Sequence, residues 1–238
     1  MLLRLESVSK SYGALKVVDT ISLAVAEGET LGVIGPNGAG KTTLFNLISG
    51  DTRVDSGSVL FAGTDLTRSA PHQRCRLGIG RSYQIPQPFG ALSVFENLLV
   101  AASFGGGLSE RDAHPLCVDV LAQSGLLSRA NQLAGTLTLL DRKRLELARA
   151  LATQPRLLLL DEIAGGLTEH EARALVDEIR AIRARGVTMI WIEHVVHALL
   201  AVADRLFVIH NGQELAQGKP QEVVNDTDVK RVYLGIEA

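Results

Sequence analysis

Residues 30–50 read Thr30-Leu-Gly-Val-Ile34-Gly35-Pro36-Asn37-Gly38-Ala39-Gly40-Lys41-Thr42-Thr43-Leu-Phe-Asn-Leu-Ile-Ser-Gly50, and this stretch decides the fold. Its first five residues are a short apolar run of the kind that forms a buried strand. The last ten have helical spacing and stop at a glycine. Between them, Gly35 to Thr42 fits G-x-x-x-x-G-K-[ST] at every required position. The glycines let backbone N–H groups turn inward towards phosphate oxygens, and the positive end of the following helix points at the same place. Lys41 is expected to reach the β- and γ-phosphates, and the Thr42 hydroxyl suits Mg²⁺, a hard cation that prefers oxygen. ATP and Mg²⁺ are therefore the expected ligands, held by Gly35, Pro36, Asn37, Gly38, Ala39, Gly40, Lys41, Thr42 and Thr43.

Working outward, Arg156-Leu-Leu-Leu-Leu-Asp161-Glu162 is a continuous apolar run ending in two acids, and Val187 to Glu193 is another such run. A strand end sets Asp161 at the lip of a sheet, where it can hold a water of the Mg²⁺ shell. Glu162 is then the candidate general base for an attacking water. Upstream, LLRLESV and VVDTISLAV alternate like strands before a turn at Glu27-Gly28, and LGIGRSYQ reads as a strand ending near Gln84. Asn211-Gly212 between RLFVIH and QELAQG is a hairpin signal. Ser93 to Glu96 and Thr168 to Glu171 match capping boxes, the second opening a helix to about Arg185. Residues 113–124 and 141–153 read as helices, and Phe104 to Gly107 as a flexible break. Strands alternating with helices predict an α/β fold with a largely parallel sheet. The expected division is a core lobe over about 1–89 and 151–238, with a helical subdomain inserted over about 90–150.

Composition narrows the classes. The 238 residues are 46% hydrophobic but only 4% aromatic, which predicts an aliphatic core. Lys and Arg total 24 against 26 for Asp and Glu, so there is no broad basic field and no nucleic-acid partner is expected. Cys75 and Cys117 lie far apart, which argues against a disulfide scaffold or a zinc site. The N-terminal MLLRLESVSK lacks the apolar core of a signal peptide, and no run approaches the ~20 apolar residues of a membrane span. A membrane role is expected to come through a partner.

With the loop and the acids placed, the chain resembles the nucleotide-binding subunit of an ATP-binding cassette transporter over nearly its whole length. The resemblance implies an ATPase whose phosphate loop sits in a mixed-sheet lobe. It gives Tyr12 the role of stacking on adenine. Gln84 takes that of touching Mg²⁺ and the attacking water, and His194 that of contacting the γ-phosphate. RSYQ, the spacing to NLLVAA, LELARALATQPRLLLLDE and the C-terminal VYLG are similar to branched-chain amino-acid uptake ATPases, whose relatives import urea and short amides. The implied partners are transmembrane permease subunits, a second cassette (identical or not) and a solute-binding protein. The implied location is the cytoplasmic face of the membrane.

The family signature, L-S-G-G-Q, here reads Leu137-Thr138-Leu139-Leu140-Asp141. Thr138 keeps the hydroxyl of a nucleotide-binding position. Leu140 replaces a glycine that admits the γ-phosphate bound by the opposite subunit, and Asp141 brings negative charge towards phosphate. Thr138 and Asp141 also suit a helix N-cap. Two readings stand open: a tolerated variant with two working sites, or a subunit that pairs with a different ATPase and leaves one site weakened. Ile163 stands where proline follows the catalytic glutamate, and Thr168 where an acid or amide is usual. The rivals are a soluble cassette protein of translation or DNA repair, and an assembly subunit gated by nucleotide without hydrolysing it.

Overall fold

The computed structural model describes residues 1–234, the last by its backbone alone; Gly235 of the VYLG stretch lies outside the described residues. In chain order, β1 (Leu3–Tyr12), β2 (Leu15–Val25), β3 (Thr30–Ile34), α1 (Lys41–Ser49), β4 (Ser56–Phe61) and β5 (Thr64–Asp65) come first. Next are α2 (Pro71–Arg76), β6 (Ile79–Arg81), α3 (Val94–Val100), α4 (Glu110–Gln123), α5 (Leu139–Ala152), β7 (Leu157–Asp161) and α6 (Glu169–Arg183). Last are β8 (Thr188–Ile192), α7 (Val196–Leu200), β9 (Arg205–His210) and β10 (Gln213–Gly218), before short helical turns. The chain forms two compact units: Met1–Pro71 with the part from Thr188 onward, and His72–Val187. The helical segment expected over about 90–150 lies within the second.

In the first unit, β1 is the centre of an antiparallel sheet in the order β2-β1-β4-β5. Leu3 and Leu5 are buried around exposed Arg4, as period-two alternation requires. Val8 would fall on the wrong face, but Ser7 has a φ of 48° and the register shifts between Leu5 and Val8, so a bulge returns Val8 to the core. In the other sheet, β3 runs parallel to both β8 and β9, and every residue of β3 and β8 is buried. Buried on both faces, these strands read as unbroken apolar runs. β10 adds antiparallel to β9 through Asn211 (φ 47°) and Gly212 (φ 76°), the left-handed pair that a two-residue hairpin needs.

The second unit joins β6 to β7 in parallel, with Ile79 opposite Leu157 and Arg81 opposite Leu159. All five residues of β7 are buried, each leucine contributing about 1.5–3 kcal/mol. Val94, Leu98, Cys117, Leu121, Leu145 and Ala148 build the core where α3, α4 and α5 meet. Both expected capping boxes form: Ser93 with Glu96, and Thr168 with Glu171. The strand expected to run to Gln84 stops at Arg81; beyond the Ser82 N–H bond to the Leu159 carbonyl, side chains of α5 hold the chain. The expected break near Phe104 is a π-helical turn over Ala101–Gly105. Among the described residues, no helix is long and apolar enough to cross a membrane.

Candidate functional site

The predicted phosphate loop lies between β3 and α1. Gly35 and Gly40 are required by close packing. A Cβ on Gly35 would lie 2.1 Å from the Ile209 carbonyl oxygen, and one on Gly40 would lie 2.5 Å from that of Val17. Gly40 also has a φ of 106° and Gly38 one of 78°, a region costly for other residues. The Gly212 N–H donates to the Ala39 carbonyl at 3.0 Å, so the β9–β10 hairpin braces the loop. Lys41 is buried, its ammonium donating to the carbonyls of Gly35 (2.8 Å) and Pro36 (3.1 Å). The first turn of α1 has no side-chain cap and no acidic residue. The amides at a helix start attract an anion. Thr42 is exposed and Thr43 half-buried at this end.

His194 is exposed just beyond β8. Because Val33 in β3 pairs with Ile192 in β8, the loop and His194 leave the sheet at the same carboxyl edge, where such sheets bind ligands. Buried Glu193 caps this exit, accepting from the His194 N–H at 2.9 Å. Tyr12, at the end of β1, is exposed, with the Lys10 ammonium 5.6 Å from its ring centroid.

In the second unit, β7 and β6 likewise deliver Asp161-Glu162 and Gln84 at their carboxyl ends. The Asp161 carboxylate takes a 3.0 Å ion pair from Arg81, with side chains only 4% and 6% exposed. This meets the cost of burying a charge behind four leucines. Glu162 has a φ of 47°, a conformation that costs a non-glycine residue about 1–3 kcal/mol and persists only when its surroundings impose it. Its carboxylate accepts from the Gln84 amide at 2.5 Å.

Lys143, which sequence reasoning passed over, ties these residues together. It is 3% exposed, and its ammonium donates to the carbonyls of Gln84 (3.0 Å) and Glu162 (3.4 Å). In sequence it looked like one more cation in Arg142-Lys143-Arg144. The available signal was the spacing Lys143, Glu146, Arg149 on one helical stripe. Glu146 accepts from the N–H groups of Tyr83 and Gln87, while Arg149 donates to the Gln87 carbonyl and to Glu146 and lies over the Phe89 ring. Burial pushes the Glu146 carboxyl up, against the opposing pull of Arg149 and the two amides.

The signature turn takes the capping form that Thr138 and Asp141 suit. Asp141 is not aimed outward at phosphate. It is buried, bonded to Thr138 and paired with Arg129 and Arg144, because an acid in the third position of a helix is drawn to its own N-cap. Thr138 is the N-cap of α5, and Thr168 that of α6. Ile163 is buried.

Each unit carries oxygen groups of the sort Mg²⁺ prefers: the Thr42 hydroxyl in the first, and the Asp161 carboxylate and Gln84 amide oxygen in the second. All are hard oxygen ligands. No group of three or more His, Cys, Asp or Glu able to hold a metal occurs among the described residues.

A strand–loop–helix phosphate cradle on a largely parallel sheet defines a phosphate-loop nucleotide hydrolase. Residues 18–165 match the ABC transporter family model, and residues 213–238 the branched-chain amino acid ATP-binding cassette transporter model. The chain belongs to the ABC transporter family, as an ATP-binding subunit whose hydrolysis is coupled to transport. It is similar to the high-affinity branched-chain amino acid transport ATP-binding protein LivG of Salmonella typhimurium, 36% identical over 249 aligned positions covering 98% of each chain. It is also 36% identical, over 98% of its length and 97% of the relative's, to the lipopolysaccharide export system ATP-binding protein LptB of Acidithiobacillus ferridurans. Among solved structures, a nucleotide-free ATP-binding cassette from an ABC transporter matches with a TM-score of 0.89 and 30% identity, over 100% of this chain and 99% of that one.

Proposed function

We propose that the chain binds ATP with Mg²⁺ on the Gly35–Thr43 loop and hydrolyses it to drive uptake of a small polar solute. The solute is a branched-chain amino acid or a related compound such as urea or a short amide. The observation that carries the chemistry is Glu162, held in a strained backbone conformation with its carboxylate on Gln84. A carboxylate fixed in this way is suited to orient a water and accept its proton. Lys41 exchanges the carbonyls of Gly35 and Pro36 for β- and γ-phosphate oxygens, and the α1 amides add fixed positive potential. His194 donates to the γ-phosphate, and Tyr12 stacks on the adenine. Mg²⁺, when bound, neutralises phosphate charge; Thr42, Asp161 and Gln84 would hold it.

The chain works in this reading as a peripheral subunit on the cytoplasmic face, beside permease subunits, a second cassette and a solute-binding protein. The relatives include a lipopolysaccharide export protein as well as branched-chain amino acid transport proteins; the match of residues 213–238 to the branched-chain amino acid transporter model favours an amino-acid solute. Glu162→Gln in the assembled transporter is expected to retain ATP binding and lose turnover by about 10²-fold or more. Near-normal turnover would remove Glu162 from the base role. Vesicles containing the assembled transporter, given labelled leucine, urea or acetamide, test the solute: ATP-driven accumulation of none of them would refute the uptake reading.

A further inference from the structure

Three residues, Glu193 to Val195, join the end of β8 at Ile192 to the start of α7 at Val196. His194 is the middle one, outside both the strand ladder and the helix, and α7 begins without a side-chain cap. Its main chain is held from two sides instead. The His194 N–H donates to the Glu193 carboxylate at 2.9 Å, and the His194 carbonyl accepts from the Tyr233 hydroxyl at 3.3 Å. We propose that Tyr233 is a positioning residue for the ATPase reaction: with Glu193 it clamps the backbone of His194, so that the closing segment of the chain sets where the imidazole stands. The inference rests on the reading above, in which His194 meets the γ-phosphate.

Glu193 forms the inner jaw. It is 2% exposed, and the oxygen that takes the His194 N–H lies 3.5 Å from the Val195 nitrogen as well. A carboxylate turned onto the amides that follow a strand end fixes the direction in which the chain leaves the sheet. Bonds to an ionised acceptor are the stronger kind.

Tyr233 forms the outer jaw and reaches it from the opposite edge of the sheet. β10 runs antiparallel to β9 and ends with Gly218 opposite Leu206, near the amino edge. Residues 219–233 then return to the carboxyl edge, and they are anchored on the way. Val223 and Val229 are buried, and the Asp226 carboxylate accepts from the N–H groups of Asp228 at 2.8 Å and Val229 at 3.1 Å. Half-buried Tyr233 follows in a π-helical turn over Lys230–Leu234. A braced segment thus delivers the hydroxyl.

A side chain that meets a transferring phosphoryl group must be closely placed, since a misplacement of about 1 Å can cost on the order of 10²-fold in rate. The Tyr233 contact is long for a hydroxyl donor, which sets its own share at about 3-fold.

The test uses Tyr233→Phe, which removes the hydroxyl and keeps the ring. In the full-length chain without nucleotide, amide hydrogen exchange over residues 193–198 is expected to quicken by about 3-fold, with the melting temperature unchanged. In the assembled transporter kcat should fall by about 3-fold while KM for ATP stays within about 1.5-fold. In a His194→Ala background, with residual turnover read over long incubations, Tyr233→Phe should cost nothing further, because a clamp acts only through the residue it holds. An equal loss with and without the imidazole would mean that Tyr233 merely stabilises the closing segment, and would overturn the proposal. Exchange and kcat unchanged in Tyr233→Phe would overturn it too. Parental turnover in His194→Ala would remove the γ-phosphate reading on which the proposal rests; the exchange measurement, made without nucleotide, stands or fails apart from that reading.

Discussion

Replacing Lys143 with methionine keeps the length of the side chain and removes its charge and donors. In the structure its ammonium donates to the Gln84 carbonyl at 3.0 Å and, more weakly, to the Glu162 carbonyl at 3.4 Å. Hydrogen bonds from a charged donor contribute about 1.5–3 kcal/mol each, so losing this pair weakens the local structure by roughly 2–4 kcal/mol. That is comparable to the ~1–3 kcal/mol by which a positive φ disfavours Glu162, so the constraint holding its backbone there is largely lost. If about 2 kcal/mol of the loss falls on the positioning of Glu162 and Gln84, kcat of the assembled transporter drops by about 30-fold. KM for ATP should stay within about 3-fold, because the phosphate loop is untouched. Lys143→Arg should recover part of kcat, since it restores charge and donors. A kcat within about 2-fold of the parent would refute the positioning role, and a rise in KM with kcat unchanged would show that Lys143 serves binding instead.

Gly35→Ala should abolish ATP binding and lower the melting temperature, because the new methyl would sit 2.1 Å from the Ile209 carbonyl oxygen, a collision with backbone that no rotamer relieves. Arg81→Met removes the buried ion pair made to the Asp161 carboxylate. It should destabilise the protein by about 3–5 kcal/mol in urea unfolding and change the Mg²⁺ dependence of ATP binding; an unfolding midpoint equal to the parent's would contradict the buried pair. The Lys16 ammonium, with Gln213 and Thr20, holds the Asp19 carboxyl down at about 2 from an ordinary 3.8. A lowered folded-state value means stability present above pH 3.8 and lost as pH falls towards 2. Asp19→Asn should flatten the melting-temperature profile in that window, and a profile parallel to the parent's would count against the assignment.

The phosphate loop was legible because its chemistry is written in consecutive residues: Gly35, Gly40, Lys41 and Thr42 need no distant partner to be recognised. The Asn211-Gly212 hairpin and the boxes at Ser93 and Thr168 were legible for the same reason, each being a bargain struck within four residues. Arg81 with Asp161 and Lys143 with Gln84 were not, since each joins residues about sixty to eighty positions apart and only packing decides that they meet. The strand expected to reach Gln84 fell short for a related reason: polar groups on α5 compete for the backbone beyond Ser82. Asp141 was half legible. The capping pattern could be read from sequence, but Arg129 and Arg144, which turn a charge aimed at phosphate into a buried cap, could not.

The stripe of Lys143, Glu146 and Arg149 has a mechanical consequence. Apolar surfaces can slide by a residue with small loss, but this row alternates a cation on a carbonyl, a carboxylate on two amides and a second cation on a carbonyl. A slip of one position would set like against like at each point. The segment from Tyr83 to Phe89 is therefore keyed to its helix as a toothed rack is to its pinion, and any push on one arrives at Gln84 without lost motion.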